Sequence, residues 1–172
     1  PTIMIRGNDD WPSKARKETM MMPSRSTLSL SLSLILLFLS FQVGWAQTVQ
    51  KETEQAAELL AGLLNAGRVI VERNQSLIND PQKADKGFTP GVFEQSVLDE
   101  FARQTHVDLK ASTSSVPTST KELLTLLLSA SKDVVQDAQF VINQRGIGYK
   151  NFIPATFGSQ AARKFSKRSK VT

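Results

Sequence analysis

The sequence predicts a mainly α fold made of two tandem units, each a long helix, a loop and a shorter helix. Three observations predict it. The chain is self-similar when slid by 64 residues. Its apolar residues recur in steps of three and four. Each short segment opens on a proline followed by an apolar row at four-residue spacing, with phenylalanine at its first and third places. A repeat found first constrains every later assignment, because equivalent segments must take equivalent structure.

The repeat is read directly from the residues. Glu58-Leu59-Leu60 falls on Glu122-Leu123-Leu124, Leu63-Leu64 on Leu127-Leu128, and Ala66 on Ala130. Val71, Gln75, Ile78 and Asn79 meet Val135, Gln139, Ile142 and Asn143. Beyond a loop, Lys86, Phe88, Pro90, Phe93, Phe101 and Val107 meet Lys150, Phe152, Pro154, Phe157, Phe165 and Val171. The alignment has no gap. The units run 58–110 and 122–172.

In the first long segment Ala56, Leu59, Leu60, Leu63, Leu64, Ile70, Val71, Leu77 and Ile78 share one face at 3.6 residues per turn. Leu123, Leu124, Leu127, Leu128, Val134, Val135, Ala138, Val141 and Ile142 do so in the second. Pro117 ends the preceding segment, and Ser119 with Glu122 predicts a capping box at the start of the second long helix. Gly146 and Gly148 predict its stop. Pro90 and Pro154 suit the first position of a helix, where the missing N–H costs nothing. Thr89 can cap the first short helix by its side chain; Ile153 cannot cap the second. Phe93, Val97 and Phe101, like Phe157, Ala161 and Phe165, form rows expected to pack as core rather than to line a cofactor pocket. Packed as equivalents, the units predict a pseudo-two-fold arrangement that buries both rows. The Ser/Thr-rich linker 111–118 reads as a loop, and 111–116 is the one place where a strand is tolerated.

Ahead of the repeat, Lys14, Arg16, Lys17 and Arg25 precede an apolar run from Leu28 to Phe41, and Gly44-Trp45-Ala46 follows. That is the layout of a secretory signal peptide, with cleavage expected after Ala46. Residues 1–19 are read as a leader foreign to the natural product, 20–46 as the signal peptide and 47–172 as the tandem helical domain. The apolar run is interrupted by four serines and is shorter than the roughly 20 residues a spanning helix needs. Membrane attachment is thus expected only through an uncleaved signal segment, and the location is periplasmic or secreted.

The net charge of +5 is unevenly placed. Residues 163–172 carry Arg163, Lys164, Lys167, Arg168 and Lys170 with no acid. The body is slightly acidic, so the basic end reads as a solvated helix face, with contact to phosphate or anionic lipid as the alternative. Basic residues interleaved with aromatics, the mark of nucleic-acid binding, are missing. The chain has no cysteine, which excludes within it a disulfide, a thiol nucleophile and covalent haem attachment. His106, the one histidine, reads as an exposed helix-end residue. Gly146-Ile147-Gly148 is too short for a phosphate loop. Asn79, Asp80 and Asp85 lack the spacing of a calcium loop. Asn143 shares a capping or turn role with Asn79. No catalytic, cofactor-binding or metal-ligating residue is assigned, and no enzymatic activity is expected.

The stretch Ile142-Asn143-Gln144-Arg145-Gly146-Ile147-Gly148-Tyr149-Lys150-Asn151-Phe152-Ile153-Pro154-Ala155-Thr156-Phe157-Gly158, with the earlier Asn74-Gln75, Leu77-Ile78-Asn79-Asp80-Pro81 and Lys86-Gly87-Phe88-Thr89-Pro90, resembles the Tll-like haem-domain family. The resemblance covers most of 52–172. It implies an exported sensor-type domain whose complete form is α+β and PAS-like, continuing past Thr172 into a sheet-forming half. Some members carry c-type haem through Cys-x-x-Cys-His, a motif these residues lack. The expectation is a haem-free, non-enzymatic sensor or ligand-binding module, incomplete at its C-terminus, with an unidentified small ligand or protein partner. The alternative is a helical structural or interaction protein that binds a partner through its grooves.

Overall fold

The computed structural model describes residues 25–111 and 116–169, with side chains described from Val49 onward. Five helices are present among them, and no strand: α1 (Arg25–Arg73), α2 (Gln75–Ile78), α3 (Pro90–Thr105), α4 (Thr118–Ile142) and α5 (Pro154–Ser169). The mainly α expectation holds. The chain divides into two units, Pro1–Ala46 and Gln47–Thr172. Of the first, the described part is helix from Arg25 to Ala46. Among the described residues no helix is long and apolar enough to cross a membrane.

The second unit holds the core. Its buried side chains run from Leu59 to Ala161, so the unit closes on itself. Leu59, Leu63, Ala66, Ile70 and Val71 supply the α1 face, and Leu124, Leu127, Leu128, Val134, Val135 and Ile142 the α4 face. Between them lie the phenylalanines of the short helices. Phe93 and Phe157 are fully buried and meet edge to face, with ring centroids 5.2 Å apart. Each also meets the phenylalanine before its own helix: Phe88–Phe93 at 6.0 Å and Phe152–Phe157 at 6.4 Å. Those contacts join the residue before the cap to the fourth helical residue, the hydrophobic staple that fixes the direction of a helix start. The phenylalanine rows are core.

The short helices begin as the residues predict. Thr89 Oγ1 accepts from the Val92 N–H at 3.3 Å. Ile153 offers only its carbonyl, which accepts from Phe157 N at 2.9 Å. At the far end of α3, His106 takes a left-handed φ of 59° and its N–H closes on the Ala102 carbonyl. Its role is a backbone one, at an exposed helix end.

Three features depart from the sequence reading. First, the predicted capping box at Ser119 is not formed. Helix α4 starts at Thr118 behind Pro117, with no side-chain cap bond. Pro117, with φ fixed near −53°, presents its carbonyl to Lys121 N at 2.9 Å and starts the helix two residues earlier. Second, the first long segment is not one helix. It breaks at Asn74, whose Nδ2 donates to the Ile70 carbonyl at 2.8 Å while its own N–H bonds the same oxygen at 3.2 Å. A side chain that competes for the i−4 carbonyl disrupts a helix. The equivalent residue in the second repeat is Ala138, which has no such group, and α4 runs unbroken through Ile142. Third, Ala111 and Val116 are not in a strand; the residues between them lie outside the described set.

Candidate functional site

The motif residues converge at the ends of α2 and α4. Asn79 and Asn143 both follow the last helical residue, with the same backbone angles, φ −86° and ψ 0°. Each reaches across to the other repeat. Asn143 Oδ1 accepts from the Lys86 N–H at 3.0 Å, and Asn79 Oδ1 accepts from the Lys150 N–H at 3.2 Å. The glutamines one turn earlier do the same. Gln139 Nε2 donates to the Phe88 carbonyl at 2.9 Å, and Gln75 Nε2 to the Phe152 carbonyl at 3.2 Å. Four reciprocal bonds thus lace the ends of α2 and α4 to the opposite repeat's loop, as a two-fold relation requires. Gly146 N adds one more, to the Pro81 carbonyl at 2.9 Å.

Lys86 and Lys150 are the unexpected members. Both are buried, at 4 % and 5 % exposure. Lys86 Nζ donates to the Asp80 and Lys83 carbonyls, and Lys150 Nζ to the Gln144 carbonyl. Asp80 and Gln144 are equivalent positions, so each ammonium ties up the carbonyl six residues back and closes its loop. Burial, and then the charge of Lys86, pushes the Lys150 amine below the usual lysine range. The loops end alike too: Gly87 and Asn151 both take left-handed backbone, at φ 65° and 54°. Asparagine is among the few side-chain-bearing residues that adopt it readily. The equivalence of 86 and 150 was visible in the repeat, and two lysines kept in step through a duplication were the signal for a buried role.

Ion pairs follow the repeat with reversed sign. Arg73 Nη1 lies 2.9 Å from Glu100 in the first unit, and Lys164 Nζ lies 2.8 Å from Asp137 at the equivalent positions of the second. Arg168 pairs with Asp133. The basic end of the chain is therefore partly joined to α4 rather than wholly a solvated face.

The arrangement tests the haem expectation. The space between the repeats is filled by the Phe93 and Phe157 rings, and a Cβ added at Gly67 would lie 2.8 Å from the Phe157 ring. His106 stands at an exposed helix end. These residues do not fit a haem. Among the described residues no three His, Cys, Asp or Glu side chains gather in a metal-holding group. Asp80 and Asp85 are spent on local bonds, Asp80 Oδ1 on Gln82 N and Asp85 Oδ1 on Gly87 N, and Asn79 Oδ1 on the cross-repeat bond from Lys150 N.

Hollows of about 450 and 500 Å³ are each lined by one helix alone, α4 or α1. A hollow of about 270 Å³ is built from several elements: Asp137, Ala138 and Val141 of α4, Lys150, Asn151 and Phe152 of the loop, and Gln160 of α5. It sits beside the cross-brace.

The cross-brace makes a direct prediction. Asn143→Ala removes the acceptor of a part-buried N–H, and a cost of about 1–2 kcal/mol is expected. Asn79→Ala should cost a similar amount, being the same bond in the other repeat. Urea unfolding of the two single variants checks it; unequal losses, one near zero, would count against the two-fold role. No family model, no curated protein and no solved structure matches the chain.

Proposed function

We propose that residues 47–172 form an exported, non-enzymatic binding module of the sensor type, related to the Tll-like domains and free of haem. One observation carries the reading. Of the residues on which the resemblance rests, Gln75, Asn79, Lys86 and Phe88, with Asn143, Lys150, Phe152 and Phe157, brace the two repeats together. The shared motif is thus a structural frame, and it has no need of a haem to be kept. Ligand binding falls to the surface hollow by Val141 and Gln160, where Lys150, Asn151 and Asp137 supply polar groups beside Phe152.

A second reading, an interaction protein, is favoured by the exposure of Phe140 and Tyr149. The test uses residues 47–172 produced with haem available. The expected product is colourless, mostly helical and melts cooperatively. A Soret band that survives gel filtration would overturn the haem-free reading. Thermal shift against a small-molecule panel separates the two readings: a sensor gains stability with ligand, by mass action, and an interaction module does not.

A further inference from the structure

The duplication supplies its own control for what the fold requires. Phe140, Val141, Ile147 and Tyr149 are exposed at 81, 39, 42 and 65 %. The first repeat has Ser76, Leu77, Lys83 and Asp85 at those positions. It still makes the same asparagine cap, the same lysine-to-carbonyl closure and the same left-handed loop end. Three of the four apolar residues are therefore not demanded by folding, and large apolar side chains left in water mark a contact surface.

They also belong together. Val141 and Asn151 line one hollow, and Tyr149 Oη donates to Asn151 Oδ1 at 3.3 Å. Phe140 adjoins Val141. From the same hollow Gln160 begins a row on α5, followed by Arg163 and Lys167 at steps of three and four, both exposed. Arg145 is exposed between Phe140 and Ile147. Charge diverges between the repeats in the same sense. Residues 138–169 contain six basic residues and no acid, whereas 74–105 contain three basic and five acidic ones. Lys164 and Arg168 are offset by α4 acids and Lys150 is buried, which leaves Arg145, Arg163 and Lys167 facing solvent.

We propose that this face of the second repeat docks on an anionic lipid surface. Phe140, Ile147 and Tyr149 enter the interface, and Arg145, Arg163 and Lys167 meet the phosphate headgroups. Projecting aromatic and aliphatic side chains amid Arg and Lys match the interfacial chemistry of a bilayer. Positive charge near its surface adds attraction that salt weakens.

The test is co-sedimentation of residues 47–172, whose core is internal, with vesicles of phosphatidylglycerol and phosphatidylcholine in equal parts. Binding is expected, falling with added salt and absent with phosphatidylcholine alone. The variant Phe140→Ser, Ile147→Lys, Tyr149→Asp installs the first repeat's residues and leaves net charge unchanged. It should bind about tenfold more weakly or worse with an unaltered melting curve. Arg163→Gln with Lys167→Gln, which leaves the apolar residues in place, should flatten the salt dependence. Failure of the parent to bind the anionic vesicles overturns the proposal. So does a triple variant that folds and binds as the parent does, or a parent that self-associates through these three residues, which would make the face a protein interface.

Discussion

Replacing Phe157 with alanine is expected to cost about 3–5 kcal/mol, the range for truncating a buried phenylalanine. The upper part of that range applies here. The ring is fully buried, meets Phe93 at 5.2 Å and Phe152 at 6.4 Å, and touches the place where Gly67 has no side chain. Four segments meet on it: α1, α3, α5 and the loop before α5. The void cannot collapse from one side without drawing the other repeat along. Phe93→Ala should lose a comparable amount. The double variant should lose less than the sum, because each ring's removal already deletes their shared contact. Equilibrium denaturation of the three variants measures this. A Phe157→Ala loss under about 1 kcal/mol would mean that the repeats do not share one core. Gly67→Leu offers the converse test: a side chain pressed against the Phe157 ring must displace it or push the helices apart.

How far the sequence went depended on whether a feature was local. The helices and their buried faces were legible because burial imposes the 3.6-residue period on the letters, and the phenylalanine rows followed from it. The repeat then implied that the rows would meet. The break at Asn74 was not legible from periodicity, since Leu77 and Ile78 keep the apolar phase across it. The comparison with Ala138 held the clue, as asparagine can bond the carbonyl four residues back and alanine cannot. The start of α4 was missed because Ser119 and Glu122 have the right spacing for a capping box, while Pro117 fixes the backbone ahead of them. The candidate site was least legible. A shared turn role for Asn79 and Asn143 was expected, but each acts on the opposite repeat, some 57 to 71 residues away in sequence. No local pattern encodes that. The burial of Lys86 and Lys150 was not legible either, because their partners are backbone carbonyls, which every residue carries.

A duplicated chain has a specific hazard, the exchange of its two short helices, and the reversed ion pairs oppose it. With α3 and α5 exchanged, Arg73 would face Lys164 and Asp137 would face Glu100. Both native pairs would become like-charged, and such contacts disfavour the wrong arrangement more than the right ones stabilise the native one. The paired rings cannot discriminate in this way, because Phe93 and Phe157 are the same residue in the same place.

Glu100 is where that polarity has its largest energetic consequence. Its side chain is buried, and it accepts from Arg103 Nη2 at 2.5 Å, Gln104 Nε2 at 2.6 Å and Arg73 Nη1 at 2.9 Å. The hydrogen bonds of Arg103, then Gln104 and Arg73, hold its carboxyl at about 2, below the 4.5 of a free glutamate, despite the opposing effect of burial. A depressed carboxylate stabilises the fold above its unfolded value, and the gain is lost as pH falls from about 4.5 through about 2. Both guanidiniums are more than half exposed, at 56 and 65 %, so solvent screening limits the contribution to about 2 kcal/mol. Glu100→Gln should therefore be about 2 kcal/mol less stable than the parent at pH 7, and the gap should close by pH 2. Glu100→Ala also leaves the two guanidiniums and Gln104 without their acceptor. It should lose about 2–3 kcal/mol, no more than the lower end of the range for breaking a buried pair, because both arginines can turn to water. Urea unfolding at several pH values measures each curve. A gap between parent and Glu100→Gln that stays constant from pH 7 to pH 2 would show that the cost lies in packing and not in the charge.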